Sequence, residues 1–91
     1  MPEVIGLESK PCLVRKARLR YEEVRKTDLL LLPERVVKLN PTGAAILRHC
    51  DGKQTVEEIV QHLEAEFAQA NLTDDVLAFL RKVHEQGWVE P

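Results

Sequence analysis

Aromatic residues and cysteines are scarce in this sequence, and long apolar runs are missing from it. Its 91 residues include two Phe, one Tyr, one Trp and two Cys. The core must therefore be built mainly from Leu, Val and Ile, and a chain of this length has room for one small domain. No apolar run approaches the length of a membrane span. The opening Met1-Pro2-Glu3-Val4 lacks a basic segment followed by an apolar one, so we expect a soluble cytoplasmic protein.

The side chains that catalysis or metal binding requires are also few. His49, His62 and His84 are far apart in the sequence, and none has the spacing of a zinc site. Cys12 and Cys50 are too few for an iron–sulfur cluster, which usually takes four cysteines, and we interpret both as reduced thiols. No glycine-rich phosphate loop is present. We therefore predict a protein that is not an enzyme and that needs no cofactor or metal.

The charge of the chain is unevenly distributed. Residues 1–54 contain 11 Lys and Arg against 7 Asp and Glu, whereas residues 55–91 contain 2 against 8. The two segments therefore carry +4 and −6, which gives the net charge of −2. Phosphate contacts supply most non-specific affinity for nucleic acid, so the acidic second segment argues against a duplex lying along it.

Three short strands are predicted in the first half of the chain. Residues 18–24 alternate loosely between apolar and polar side chains, as a half-exposed strand does. Residues 29–32 are four consecutive leucines, which suit a strand covered on both faces, and Pro33 ends the run too early for a helix. Residues 35–39 are rich in β-branched side chains. Tight turns between these segments predict an antiparallel meander with the leucine strand in the middle.

The first helix is predicted at the point where this alternation ends. Asn40 is a good N-cap, and Pro41 suits the first helical position because its missing N–H has no partner there in any case. We expect the helix to end at Asp51-Gly52, with Gly52 in the left-handed conformation of a C-terminal cap.

Two further helices follow. Thr55 and Glu58 form a capping box at the start of the second helix. Thr73 is the expected cap of the third helix, over residues 74–86, and Gly87 is expected to end it. The fold class is therefore α+β, with a three-stranded antiparallel sheet followed by three helices, and it resembles a winged helix-turn-helix domain.

Residues 1–17 show no sustained period, and we predict a flexible N-terminal arm before a domain over residues 18–91. Removal of residues 1–14 is then expected to leave the fold largely intact. Apolar residues of the arm could instead dock on the body or on a second subunit, so a swapped homodimer is an open alternative.

Two functions fit this architecture. A winged-helix DNA-binding domain is one, although its recognition helix, residues 74–86, would offer only Arg81, Lys82 and His84 against Asp74, Asp75 and Glu85. The other is a peptide-binding module, in which a guest strand joins an open sheet edge beside an apolar helix face. The plainer interpretation of that face is that it only belongs to the core.

Four ordered blocks of sequence carry a resemblance to a known family. They are Tyr21-Glu22-Glu23, Leu30-Leu31-Leu32-Pro33-Glu34, Leu39-Asn40-Pro41-Thr42-Gly43-Ala44-Ala45-Ile46-Leu47 and Cys50-Asp51-Gly52-Lys53-Gln54-Thr55-Val56-Glu57-Glu58-Ile59. Together they closely resemble the PqqD family of pyrroloquinoline quinone (PQQ) biosynthesis, from about residue 18 to residue 89. Residues 1–17 lie outside the resemblance.

The resemblance implies a peptide chaperone, of the type called a RiPP recognition element, without catalytic activity. It would bind the precursor peptide PqqA as an extra strand and present it to PqqE, a radical S-adenosylmethionine enzyme. The peptide would lie in the cleft between the third strand and the third helix. The implied peptide-binding residues are Arg35, Val36, Val37, Lys38 and Leu39 on the strand, and Leu77, Leu80, Arg81 and His84 on the helix.

Overall fold

A computed structural model describes residues 5–91 and confirms the predicted α+β architecture. In chain order the elements are β1 (Cys12–Leu13), β2 (Arg18–Glu22), β3 (Thr27–Leu31), β4 (Val36–Leu39), α1 (Pro41–Arg48), α2 (Val56–Glu66), α3 (Thr73–Glu85) and β5 (Val89–Glu90). Strands β2, β3 and β4 form an antiparallel sheet with β3 in the middle, as the sequence predicts. Within residues 5–91, no helix has the length and apolar character that crossing a membrane requires.

One face of the sheet packs on the helices. Leu30 is fully buried at its centre and pairs with Leu19 on β2 and Val37 on β4. Leu29 and Leu31 point to the opposite face and are only half-buried, so the expectation of a strand covered on both faces is wrong. Arginine and lysine side chains on β2 and β4 flank these leucines, and their aliphatic stems can shield part of the apolar surface.

The cap of α1 is confirmed, but its predicted end is wrong. The Asn40 side chain accepts a hydrogen bond from the Gly43 N–H at 2.6 Å, which satisfies one of the unpaired donors at the helix start. The helix ends at Arg48 rather than at Gly52. Gly52 does have a positive φ of 77°, but it serves a later turn, where its N–H donates to the Pro11 carbonyl at 3.0 Å.

The capping box of α2 is present as predicted, whereas the start of α3 differs. Thr55 and Glu58 each accept a hydrogen bond from the other's backbone N–H. At α3, Thr73 is the first helical residue and Leu72 is the N-cap, which has no side-chain hydrogen bond. The Glu64 carboxylate at the end of α2 accepts from the Leu72 N–H at 3.1 Å. The connection between the two helices is therefore held by a side chain of the preceding helix.

The end of α3 is a Schellman motif at Gly87, where the sequence predicts it. Gly87 has a φ of 80°, and its N–H donates to the His84 carbonyl at 3.0 Å. The N–H of Trp88 donates to the Val83 carbonyl, also at 3.0 Å. These two hydrogen bonds turn the chain back after the helix. As a result Val89 is buried and begins β5.

Residues 5–17 dock on the body of the same chain, which is one of the two docking alternatives given by the sequence. Ile5 is fully buried, and β1 pairs with β5 in a second, two-stranded sheet. The carbonyls of Leu7 and Ser9 accept from the Glu57 and Val56 N–H groups, which are unpaired donors in the first turn of α2. Residues 1–4 of the predicted arm lie outside the described residues, and the assignment of residues 1–17 as a flexible arm stays a prediction. The docked contacts lead us to expect that removal of residues 1–14 destabilises the domain.

The contribution of this segment can be measured with one substitution and a matched control. Ile5→Ala leaves a cavity in the core and should lower the free energy of unfolding by about 2–5 kcal/mol. In a domain of this size that corresponds to a fall in melting temperature of roughly 8 °C or more. Leu7→Ala removes a side chain that is 41% exposed and should change the stability little. Equal melting temperatures for both variants would show that residue 5 contributes nothing to the core.

Candidate functional site

A groove runs between the edge strand β4 and helix α3. Its volume is about 410 Å³. The lining residues are Arg35, Val37, Lys38, Leu39, Asn40, Gly43, Phe79, Lys82, Val83, Gln86 and Trp88. An extended peptide lying in this groove would have backbone groups of β4 on one side and helix side chains on the other.

The backbone of β4 offers hydrogen-bonding groups to this groove. Leu32 and Arg35 exchange both backbone hydrogen bonds at the hairpin, at 2.9 and 3.3 Å. Antiparallel pairs alternate between bonded and non-bonded positions, so the next bonded pair toward the helix is Val37 with Leu30. The N–H and C=O groups of the intervening Val36 and of Lys38 therefore point away from β3. Because β3 is the only neighbour of β4 within the described residues, these groups are available to a guest strand.

The residues predicted on the strand lie at this edge. Arg35, Val37, Lys38 and Leu39 line the groove. Val36 does not line it, and its side chain is 59% exposed on the opposite face of the sheet. By strand alternation the Lys38 side chain points to that face too, so both residues contribute to the groove edge mainly through their backbone. The strand part of the predicted site is thus brought together beside α3.

The residues predicted on the helix do not line the groove. Leu80 is fully buried in the core, and Leu77 is half-buried against it. Arg81 points to the N-terminal segment, where its Nε donates to the Ile5 carbonyl at 3.1 Å. His84 is half-buried and is likewise absent from the lining. At 100° per residue Leu77, Arg81 and His84 lie on the opposite side of α3 from the groove and Leu80 on its core-facing flank. A peptide-binding role for these four residues stays a prediction.

The helix side of the groove is formed by a different stripe. Phe79, Lys82, Val83 and Gln86 are spaced at i, i+3, i+4 and i+7, which places them on one face of α3. The sequence shows an apolar face wide enough to include Phe79 and Val83. Periodicity alone does not say which part of that face packs in the core and which part stays accessible.

Trp88 and Arg35 close one end of the groove. The Arg35 guanidinium carbon lies 5.4 Å from the centroid of the Trp88 ring, which is within the range of a cation–π contact. The Schellman motif at Gly87 brings the tryptophan to this position. Trp88 also packs against the core, and its position at the groove is not among the residues predicted from the sequence. A large aromatic residue directly after the helix-ending glycine was the available signal.

Gly43 and Phe79 form the other end of the groove. A Cβ atom at Gly43 would lie 3.0 Å from the Asn40 side-chain oxygen and 3.1 Å from the Phe79 ring. A larger residue at position 43 would therefore displace the ring or the helix cap. Beyond Phe79 a second depression of about 270 Å³ continues between α1 and the start of α3. The small residue keeps the two depressions in contact.

A separate depression of about 580 Å³ lies on the outer side of the β2–β3 hairpin. It is lined by Arg20, Tyr21, Glu22, Glu23, Val24, Leu29, Leu31 and Val36. It lies over side chains on the outer face of the sheet, whereas the groove follows the open backbone edge of β4. Strand addition requires backbone donors and acceptors, so the groove at β4 is the better candidate for it.

The thiol and the two carboxyl groups with clearly shifted pKa values owe these shifts to burial or to local hydrogen bonds. Cys50 is buried, which raises the pKa of its thiol to about 12 and keeps it protonated at neutral pH. Both cysteines are free thiols, as predicted. The pKa of Asp51 is lowered by a hydrogen bond from the Lys53 backbone, and that of Glu58 by one from the Thr55 backbone. These shifts arise from capping and turn contacts outside the groove.

The histidines are arranged in a way that their spacing in the sequence did not reveal. The rings of His49 and His62 lie 5.4 Å apart, and His49 Nε2 is 3.9 Å from the Glu66 carboxylate. His62 Nδ1 is 2.7 Å from the Gln54 side-chain oxygen. In the part of the chain that the structure describes, no three His, Cys, Asp or Glu side chains are grouped so that they could hold a metal ion.

A three-stranded sheet followed by three helices makes a winged helix-turn-helix-like domain, and known proteins share this fold. The family model "Coenzyme PQQ synthesis protein D (PqqD)" matches residues 29–89. The chain belongs to the PqqD family. The "PqqA binding protein" of Pseudomonas aeruginosa is 39% identical and that of Kluyvera intermedia 41%, with 93% and 88% of this chain covered and 94% and 88% of theirs.

A solved structure shares the fold. It is the solution NMR structure of the PqqD truncation of Methylobacterium extorquens PqqCD, described as a functional and stand-alone RiPP recognition element. It is similar with a TM-score of 0.82 and 32% sequence identity, over 97% of this chain and 96% of that one. The family and the fold are therefore established together.

Amide hydrogen exchange tests the assignment of the open edge. The Val37 N–H should exchange slowly because it bonds to β3, whereas the N–H groups of Val36 and Lys38 should exchange fast. Site-resolved exchange by NMR on the isolated protein measures all three residues in one sample. Protection of Val36 or Lys38 equal to that of Val37 would contradict an unpaired edge.

Proposed function

We propose that this protein is a non-catalytic peptide chaperone of PQQ biosynthesis, which binds the precursor peptide PqqA and presents it to the radical S-adenosylmethionine enzyme PqqE. The observation that carries the proposal is the row of unpaired backbone groups on β4 beside the groove. The names of the relatives, PqqA binding proteins, support the choice of peptide. The proposed setting is the cytoplasm, because a ribosomally made peptide is first available there.

Strand addition explains how such a domain can hold a flexible peptide. A guest strand bonds to the N–H and C=O groups of Val36 and Lys38, and β4 becomes an inner strand. Every second guest side chain then points into the groove toward Val37, Leu39 and the Phe79 ring. Backbone bonds supply affinity that is independent of sequence, and the groove supplies the choice of side chains.

Presentation to an enzyme requires a second accessible surface. The outer face of the sheet lies opposite the helices and retains accessible apolar side chains, among them Val36, which is 59% exposed, and the half-buried Leu29 and Leu31. A peptide in the groove leaves this face accessible. Holding peptide and enzyme on one scaffold raises their effective concentration, so the enzyme need not bind the peptide tightly by itself. The chemistry then belongs wholly to the enzyme.

The first test is a calorimetric titration of the purified protein with synthetic PqqA and, separately, with duplex DNA. We expect saturable binding of PqqA with a dissociation constant in the micromolar range or below, and no binding of DNA. Binding of DNA without binding of PqqA would favour the winged-helix DNA-binding alternative and would contradict the proposal.

The second test removes one edge N–H. Lys38→Pro deletes a donor that has no partner within the sheet, so the circular-dichroism spectrum and melting temperature should change little while PqqA binding is lost. Lys38→Ala is the control for the side chain and should retain binding. Val37→Pro removes a bonded N–H and should cost on the order of 3 kcal/mol of stability. If folded Lys38→Pro binds PqqA like Lys38→Ala, strand addition at this edge is wrong.

A further inference from the structure

The charged residues that line the groove are all basic. Arg35, Lys38 and Lys82 border it, and no Asp or Glu does. The side chains of Arg35 and Lys82 face the groove, whereas that of Lys38 alternates to the outer face of the sheet. The whole chain nevertheless carries a formal net charge of −2. The positive lining is therefore a local feature of the groove and does not follow from the average composition.

Lys82 is a basic groove residue in an otherwise acidic part of the chain. Residues 55–91 contain two Lys or Arg against eight Asp or Glu. One of the two, Arg81, faces the opposite side of α3 and is held by the Ile5 carbonyl. The other, Lys82, lines the groove. Thus the helical half of the protein, which is otherwise acidic, places its one remaining Lys or Arg where a peptide would lie.

Neither Arg35 nor Lys82 has a carboxylate partner in residues 5–91. The ion pairs in that part of the chain are Arg25 with Glu22, Arg48 with Asp28, and His49 with Glu66. None of these contacts involves a groove residue. A carboxylate that enters the groove therefore meets cations without first displacing an internal partner.

The floor between these cations is apolar. Val37, Leu39, Phe79 and Val83 pack against the core and also line the groove. Such a surface favours an aliphatic or aromatic guest side chain over a charged one. Guest residues two positions apart in an extended strand share one face. A carboxylate two residues from an apolar side chain can thus reach the cationic rim while its neighbour fills the floor.

We infer that the groove selects a peptide segment that combines an apolar side chain with a carboxylate, and that Lys82 is a main determinant of the charge preference. This inference rests on the proposed function, since it specifies the peptide chemistry of that same groove. A nucleic acid duplex would extend beyond the groove along α3 to Asp74, Asp75 and Glu85, which repel phosphates, whereas the carboxylate of a peptide in the groove meets only the groove lining. The peptide is therefore the better occupant.

The experiment compares two charge reversals in the full-length protein. Lys82→Glu and Lys53→Glu change the net charge equally, but the side chain of Lys53 is exposed and lies outside the groove. We expect Lys82→Glu to weaken binding of synthetic PqqA about tenfold at low salt, and Lys53→Glu to weaken it less than about twofold. Raising the salt concentration should weaken binding by the wild type and reduce the difference between the variants.

A second set of peptides identifies the acidic partner. Each Asp and Glu of PqqA is replaced in turn by Asn or Gln, and every peptide is titrated into the wild type and into Lys82→Gln. One replacement should weaken binding to the wild type but have little further effect on binding to Lys82→Gln. The replaced carboxylate and Lys82 act through the same ion pair, which Lys82→Gln has already removed. An oligonucleotide competitor should not displace PqqA.

The outcomes separate the two proposals. If the wild type does not bind PqqA, both the proposed function and this inference fail. If the wild type binds PqqA but Lys82→Glu behaves like Lys53→Glu, only the charge preference is wrong. Displacement of PqqA by the oligonucleotide would also overturn the inference, because the groove would then be a general polyanion site.

Discussion

An edge strand has a row of backbone donors and acceptors without partners, and β4 keeps such a row beside an apolar groove. Leaving this edge open is a risk, since exposed edges can pair with other chains and aggregate. Here β4 is only four residues long and carries Lys38, both of which reduce that risk. The remaining opening is bounded by α3, so a guest strand must also fit the side chains of the helix. The open edge of β4 therefore pairs only with strands whose side chains fit the groove.

The rest of the fold maintains the distance between β4 and α3. Asn40 caps α1 directly after β4. Gly43, in the first turn of α1, leaves room for the Phe79 ring of α3. At the other end of α3 the Schellman motif turns Trp88 toward Arg35. The N-terminal segment packs behind α3, where the Ile5 carbonyl holds Arg81. These contacts fix both ends and the back of the helix and leave the groove itself unfilled.

Local signals predicted the elements of the fold well because their causes are local. The leucine run, the Asn40-Pro41 start and the Thr55–Glu58 box each depend on residues within one turn, and each was assigned correctly. The docking of Ile5 and the phase of α3 depend on contacts between distant segments. A sequence period shows that a face is apolar, but it does not show which stripe of that face meets the core. For that reason the strand side of the groove coincides with residues expected from the sequence, whereas its helix side is formed by other residues of α3. The peptide-binding role of both sets stays a prediction.

The central claim is that PqqA becomes a fourth strand beside β4, and NMR on the complex tests it most directly. With isotope-labelled protein and unlabelled PqqA, intermolecular contacts between backbone protons should appear at Val36 and Lys38, together with slowed exchange of their N–H groups. Contacts should be absent along the other edge strand, β2. Intermolecular backbone contacts at β2, or bound PqqA that leaves exchange at Val36 and Lys38 unchanged, would contradict the account.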